Sequence, residues 1–203
     1  MHSYTVDSKE RETIPLYLAL ISIVFTWLFS KYLFQPLSNM FSVSLWWIDT
    51  PAVVGFYGTI YKLFDTYFWK INFVRIVLRL KIPDLNGQWD VVLKSSYDDF
   101  REERYANINI EQTWTRISIK FENDTSSSFS RTASIYVDDL CGVKLSYEYQ
   151  NNPNADTVDT MNMHIGFVSL RILENSSILD GEYFSNSGRK NYGRIQLKRV
   201  VAA

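Results

Sequence analysis

Cysteine occurs once, at Cys141, so the chain has neither an intramolecular disulfide nor a cysteine-based zinc site. A lone thiol fits a reducing compartment. Histidine occurs twice. His2 lies in a terminus read as floppy, which leaves His164 too little company for a metal centre or a Ser-His-Asp triad. The adjacent acids Asp98-Asp99 and Asp138-Asp139 would diverge on a strand and suit turns better. No glycine-rich phosphate loop follows a strand and opens a helix. Charge of one sign is lacking too: 21 basic residues against 22 acidic ones leave a net charge of −1, with no pull toward DNA or RNA. An enzyme, a resident cofactor and a nucleic-acid partner are therefore not expected.

What the chain has in quantity is aromatic side chains and one long apolar run. Residues 14–30 are 17 consecutive residues without a charge; extended past Lys31 to residue 34, the run nears the roughly 20 residues that cross a bilayer. A second, weaker span follows. Its charge-free stretch covers only residues 50–61, 12 residues. Yet Asp49-Thr50-Pro51 reads as a helix start, and Trp46-Trp47 before it and Tyr67-Phe68-Trp69 after it read as aromatic belts. Between Lys62 and Lys81 lie five basic residues against one acid, Asp65. The positive-inside rule then places the hairpin tip outside and both termini in the cytoplasm. Residues 66–82 mix apolar and basic side chains, which suits either a helix along the inner leaflet or a continuation of the second span.

Beyond the turn 83–87 the period changes from helical to alternating. Candidate strands are 88–95, 105–121, 130–137, 143–150, 161–173, 178–184 and 192–200, separated by turn-forming Asn, Asp, Gly, Pro and Ser. Val143, Leu145, Tyr147 and Tyr149 share one face, while Lys144, Ser146, Glu148 and Gln150 share the other. The expected fold is a membrane-anchored all-β protein: two N-terminal transmembrane helices over residues 1–82, then a small antiparallel β-barrel of about eight strands over 83–203. An eight-stranded barrel is either packed solid or just wide enough for one small ligand, and composition does not choose. In the segment 105–121 the apolar positions switch from even to odd, for which a bulge or twist near Thr115 would account.

Several motifs occur together in order: Asp49-Thr50-Pro51, Asp65-x-Tyr67-x-Trp69-Lys70, Leu85-x-Gly87-x-Trp89, Ile110-x-Gln112-Thr113-Trp114, Tyr147-x-Tyr149-x-Asn151-x-Pro153, His164-x-Gly166, Leu179-x-Gly181-x-Tyr183-Phe184, then Arg189 and Gly193-x-Ile195-x-Leu197. In that order, behind a two-helix anchor, the chain resembles the CD-NTase-associated protein 15 family of CBASS antiphage effectors. The resemblance implies a multi-pass protein of the bacterial inner membrane with a cytoplasmic barrel. It implies a cyclic dinucleotide from a cognate CD-NTase as activating ligand, self-association on binding, and disruption of the lipid bilayer. Such a ligand needs flat faces for two bases, amide groups for base edges and a cation for phosphate. Candidate contacts are Trp114, Tyr149 and Tyr183 for stacking, Gln112 and Asn151 for base edges, Arg116 and Arg189 for phosphate, and His164. Each has a plainer role open to it: core packing for the aromatics, Gln112 and His164, a turn for Asn151, and solvated charge for the arginines. A lipocalin-like carrier of an apolar ligand and a solidly packed structural barrel are the alternative readings.

Overall fold

The computed structural model describes residues 1–41, 49–138, 140, 142–154, 162–173, 176–186 and 190–200, without the side chains of 41, 49 and 50. The chain divides into two compact units. One is Lys9–Leu80; the other joins Met1–Ser8 to Lys81–Ala203, so the first eight residues group with the barrel and not with the helices.

In the helical unit, α1 (Glu10–Phe29) runs through a π-helical turn (Ser30–Phe34) into α2 (Gln35–Phe41). Among the described residues one helix, Glu10–Met40, is long and apolar enough to cross a membrane by length and composition. Its hydroxyls are satisfied internally: Ser22 Oγ donates to the Leu18 carbonyl (2.7 Å) and Thr26 Oγ1 to the Ser22 carbonyl (2.9 Å). Leu16, Leu20, Ile23, Val24 and Trp27 are exposed, a large apolar surface. The second helix, α3 (Asp49–Thr66), packs beside α1, with Phe56 between the rings of Phe25 and Phe29. Trp46 and Trp47 lie outside the described residues, as does the side chain of Asp49. Past α3 the helix does not continue. A 3₁₀ turn (Phe68–Lys70) leads to α4 (Asn72–Leu78), which ends where Arg79 turns left-handed (φ 52°).

The second unit is a closed barrel of eight antiparallel strands: β3 (Gly87–Ser95), β4 (Arg104–Gln112), β5 (Arg116–Glu122), β6 (Ser126–Tyr136), β7 (Lys144–Pro153), β8 (His164–Leu173), β9 (Ile178–Ser185) and β10 (Tyr192–Arg199). Neighbours in sequence are neighbours in space, and β10 returns to pair with β3. The expected single strand 105–121 is two strands. The parity switch comes from a tight hairpin, not a bulge: Thr113 N–H donates to the Arg116 carbonyl (2.8 Å), and Thr113 Oγ1 accepts the Arg116 N–H (3.0 Å). A bulge does occur, in β6 between Ser130 and Thr132. The N-terminus is not floppy. His2–Ser3 (β1) pairs with β5 and Thr5–Val6 (β2) pairs with β6, a contribution to the wall that strands of two residues do not announce in sequence.

Candidate functional site

Six of the eight strands, all but β5 and β10, grade from apolar to polar inward residues, and the order in sequence reverses from one strand to the next with strand direction, so their polar ends meet at one mouth. On β7 the inward series is Leu145, Tyr147, Tyr149, Asn151; on β3 it is Trp89, Val91, Leu93, Ser95. On β8, running the other way, it is Leu170, Val168, Gly166, His164, and on β4 Ile110, Ile108, Ala106, Arg104. The apolar end is packed solid. Trp89, Ile110, Trp114, Ile117, Ile135, Leu145, Leu170, Leu179 and Leu197 are each at most 1% exposed. The polar end, where side chains are shorter or stand aside, leaves a cavity of about 530 Å³. That size lies inside the range of about 300–1,000 Å³ typical of small-molecule pockets.

Two glycines keep this space open. Tyr149 lies across the strand from Gly166, and a Cβ at Gly166 would run into its ring and the Phe184 carbonyl. Tyr183 lies likewise against Gly193. With no Cβ beneath them, both rings lean against the wall and present themselves to the hollow. Tyr149 OH lies 3.4 Å from Ser185 Oγ, and the His164 ring meets Tyr149 edge-on at 6.2 Å while its Nδ1–H donates to the Asn162 carbonyl. Tyr147 is 5% exposed; burial, with the neighbouring Tyr149 phenol, pushes its pKa well above the usual phenol value. It therefore keeps its proton and remains a donor. Amides come from Asn123, Asn151 and Asn191, hydroxyls from Ser95, Ser126 and Ser128. Among the described lining residues Arg104 is the one cation, against the acids Glu102 and Asp124. Its guanidinium is held by Asp98 (2.9 Å) and lies over the Tyr97 ring.

Four expected residues, Tyr149, Asn151, His164 and Tyr183, come together here. Gln112, Trp114 and Arg116 do not; they sit at the packed end. Gln112 is 2% exposed and clamps the barrel entry: its Oε1 accepts the Leu85 N–H (2.8 Å), and its Nε2 donates to the Pro83 carbonyl (3.1 Å) and Tyr4 OH (3.2 Å). Trp114 is core, and its carbonyl accepts from Tyr4 OH (2.9 Å). Arg116 is on the outer surface, donating to the Met1 carbonyl (2.7 Å). The reason is that β4 runs from the mouth at Arg104 down to the packed end, so the hairpin at 113–115 that turns the chain back along β5 lies at the end opposite the cavity. Arg189 lies outside the described residues. Sequence reading missed Arg104, Asn123, Asn191 and the alternating serines Ser126 and Ser128, both at most 6% exposed. The serines were legible as a period-2 inward polar series on one strand; Arg104 was legible by its parity with Ile108 and Ile110.

Residues 80–199 match the family described as Cap15, cyclic dinucleotide receptor domain. A curated relative, CD-NTase-associated protein 15 of Yersinia aleksiciae, is 30% identical over 154 residues, covering 73% of this chain and 70% of that protein.

Proposed function

The chain belongs to the Cap15 family, and from that premise we propose that it is a CBASS antiphage effector whose barrel binds a cyclic dinucleotide made by a cognate CD-NTase. The observation that carries the reading is the half-hollow barrel, whose cavity sets aromatic rings beside amides, hydroxyls and an arginine. Tyr149, Tyr183 and Phe121 offer flat faces to bases, the asparagine amides can meet base edges, and Arg104 can exchange Asp98 for a phosphate. A cavity of about 530 Å³ weighs against a solid structural barrel. Its amide and hydroxyl lining weighs against a carrier of apolar molecules, which would leave these groups unpaired.

The membrane half of the proposal draws on chain connectivity. Residues 2–6 and strands β3–β10 belong to one sheet, so they occupy one side of any membrane. With α1 crossing, the chain has to cross back before β3, and α3, the 18-residue helix between them, is our choice for the return. The basic residues downstream of α3 favour a cytoplasmic barrel at the inner membrane. Two helices are too few to enclose a water path, since backbone and polar groups in lipid need partners. Damage to the bilayer therefore requires several copies, and ligand drives their association only by binding the associated state more tightly than the single chain.

The test is thermal unfolding of the full chain in detergent against a panel of cyclic dinucleotides. A ligand at 100 times its Kd adds about 2.7 kcal/mol of stability. Folded protein that no member of the panel stabilises would overturn the receptor reading.

A further inference from the structure

The barrel wall has one weak seam. β5 and β6 are in register at three pairs only, Lys120 with Phe129, Phe121 with Ser128 and Glu122 with Ser127, whereas β4 and β5 share six and β6 and β7 share ten. Toward the packed end the two strands diverge, and residues 2–6 fill the gap. His2 and Ser3 pair with Ile117 and Arg116 of β5, then Thr5 and Val6 pair with Ser134 and Ile135 of β6. The fork is held by Ser130 just before the β6 bulge: its Oγ accepts the Ile119 N–H (3.0 Å) and lies 2.8 Å from His2 Nε2. Tyr4 plugs the interior, Thr5 Oγ1 donates to Ser134 Oγ (2.7 Å), and the Asp7 carboxylate accepts the backbone N–H groups of Val137 (2.7 Å) and Asp138 (3.3 Å).

Two features give this strand consequences. Ile119 and Ser128, on either side of the fork, both line the cavity. And α1 begins at Glu10, with only residues 8 and 9 between it and Asp7, about 10 Å of chain at full extension. We propose that residues 2–7 are a detachable wall strand: a ligand filling the cavity spreads the wall at its weakest seam, breaks the fork at Ser130 and releases the strand, and with it the tether that joins α1 to the barrel. The proposal rests on the ligand reading above. Short pairings of two residues on each side make the strand the low-stability part of the wall, the kind of element that opens ahead of the rest. Linkage makes the effect reciprocal: a ligand that releases the strand binds a locked barrel more weakly.

The experiment uses the full chain in detergent with Cys141→Ser as background. Thr5→Cys with Ser134→Cys places two thiols at a registered pair whose hydroxyls already touch, so oxidation locks the seam. Binding of cyclic di-AMP, cyclic di-GMP and cyclic di-UMP is measured by calorimetry on the oxidised and reduced forms. Maleimide labelling of Thr5→Cys alone is timed with and without the tightest of them. The expected result is an affinity about fivefold or more lower in the oxidised form, recovered on reduction, and faster labelling at saturating nucleotide. Equal affinities, tighter binding by the locked form, labelling unchanged or slowed by nucleotide, or a pair that does not form the disulfide would each overturn the seam proposal while leaving the receptor reading intact. No binding by either form overturns the receptor reading, and the seam's role falls with it.

Discussion

Replacing Gln112 by leucine separates the packed end of the barrel from its ligand end. The substitution roughly keeps the side-chain volume but removes an amide that makes three buried hydrogen bonds, to the Leu85 N–H, the Pro83 carbonyl and Tyr4 OH. Tyr4 OH keeps its bond to the Trp114 carbonyl, so its loss is small. The Leu85 N–H and Pro83 carbonyl are left in an apolar pocket. At about 1–3 kcal/mol for each stranded group, the cost is roughly 2–6 kcal/mol. For a unit of this size each kcal/mol lowers Tm by roughly 3–5 °C, so Tm should fall by about 6–30 °C. Against a total stability of about 5–15 kcal/mol, the protein should still fold at low temperature. There its affinity for a cyclic dinucleotide should match that of the unsubstituted protein to within about threefold, because Gln112 does not line the cavity. Tm by scanning calorimetry and Kd by isothermal titration, both on the full chain, decide the matter. A Tm that barely moves together with an affinity lost by about 100-fold or more would refute the placement of Gln112 and return it to the ligand.

Three further outcomes are expected. Arg104→Gln should weaken nucleotide binding by about tenfold or more, the worth of one charge-assisted hydrogen bond, and flatten its salt dependence; unchanged titrations at low and high salt would exclude a phosphate contact. Gly166→Ala should cost about 1–3 kcal/mol of stability and weaken binding as well, because the new methyl meets both the Phe184 carbonyl and the Tyr149 ring and drives that ring into the cavity; a variant with normal Kd would show that the ring's posture does not matter. Tyr147 gives a pH signature. Its folded pKa lies above the unfolded value near 10, so the protonated phenol's stability is complete below about pH 10 and is lost as pH rises toward the folded pKa, at about 1.4 kcal/mol per pH unit. Tyr147→Phe should lack that share of the alkaline loss in denaturant melts between about pH 9 and 11.5, and parallel pH profiles for the two proteins would contradict it.

Fold class was legible because period and composition are local. A 17-residue uncharged run and the later alternation each state what their own segment buries. The inward parity of Tyr149, His164 and Tyr183 followed from alternation alone; Asn151, read as lying at a strand end, continues it because β7 runs on to Pro153, and all four reach the cavity. Alternation, however, says which face is inside and not how far along the barrel a residue stands. Trp114 and Gln112 are as buried as expected, yet they stand at the wrong end, because a three-residue hairpin at 113–115 was read as one continuous strand.

By itself, then, the sequence determined the anchor-like apolar helix, the strand-rich second half and the family, since each is written in contiguous residues and their order. Tertiary structure alone decided the rest. The hollow exists because strands of alternating direction bring their polar ends to one mouth, where Gly166 and Gly193 let two tyrosines stand aside. The wall is completed by residues 2–6, which find their partners more than a hundred positions away on β5 and β6. Two-residue strands carry too little pattern to be read locally; only the gap they fill gives them their conformation.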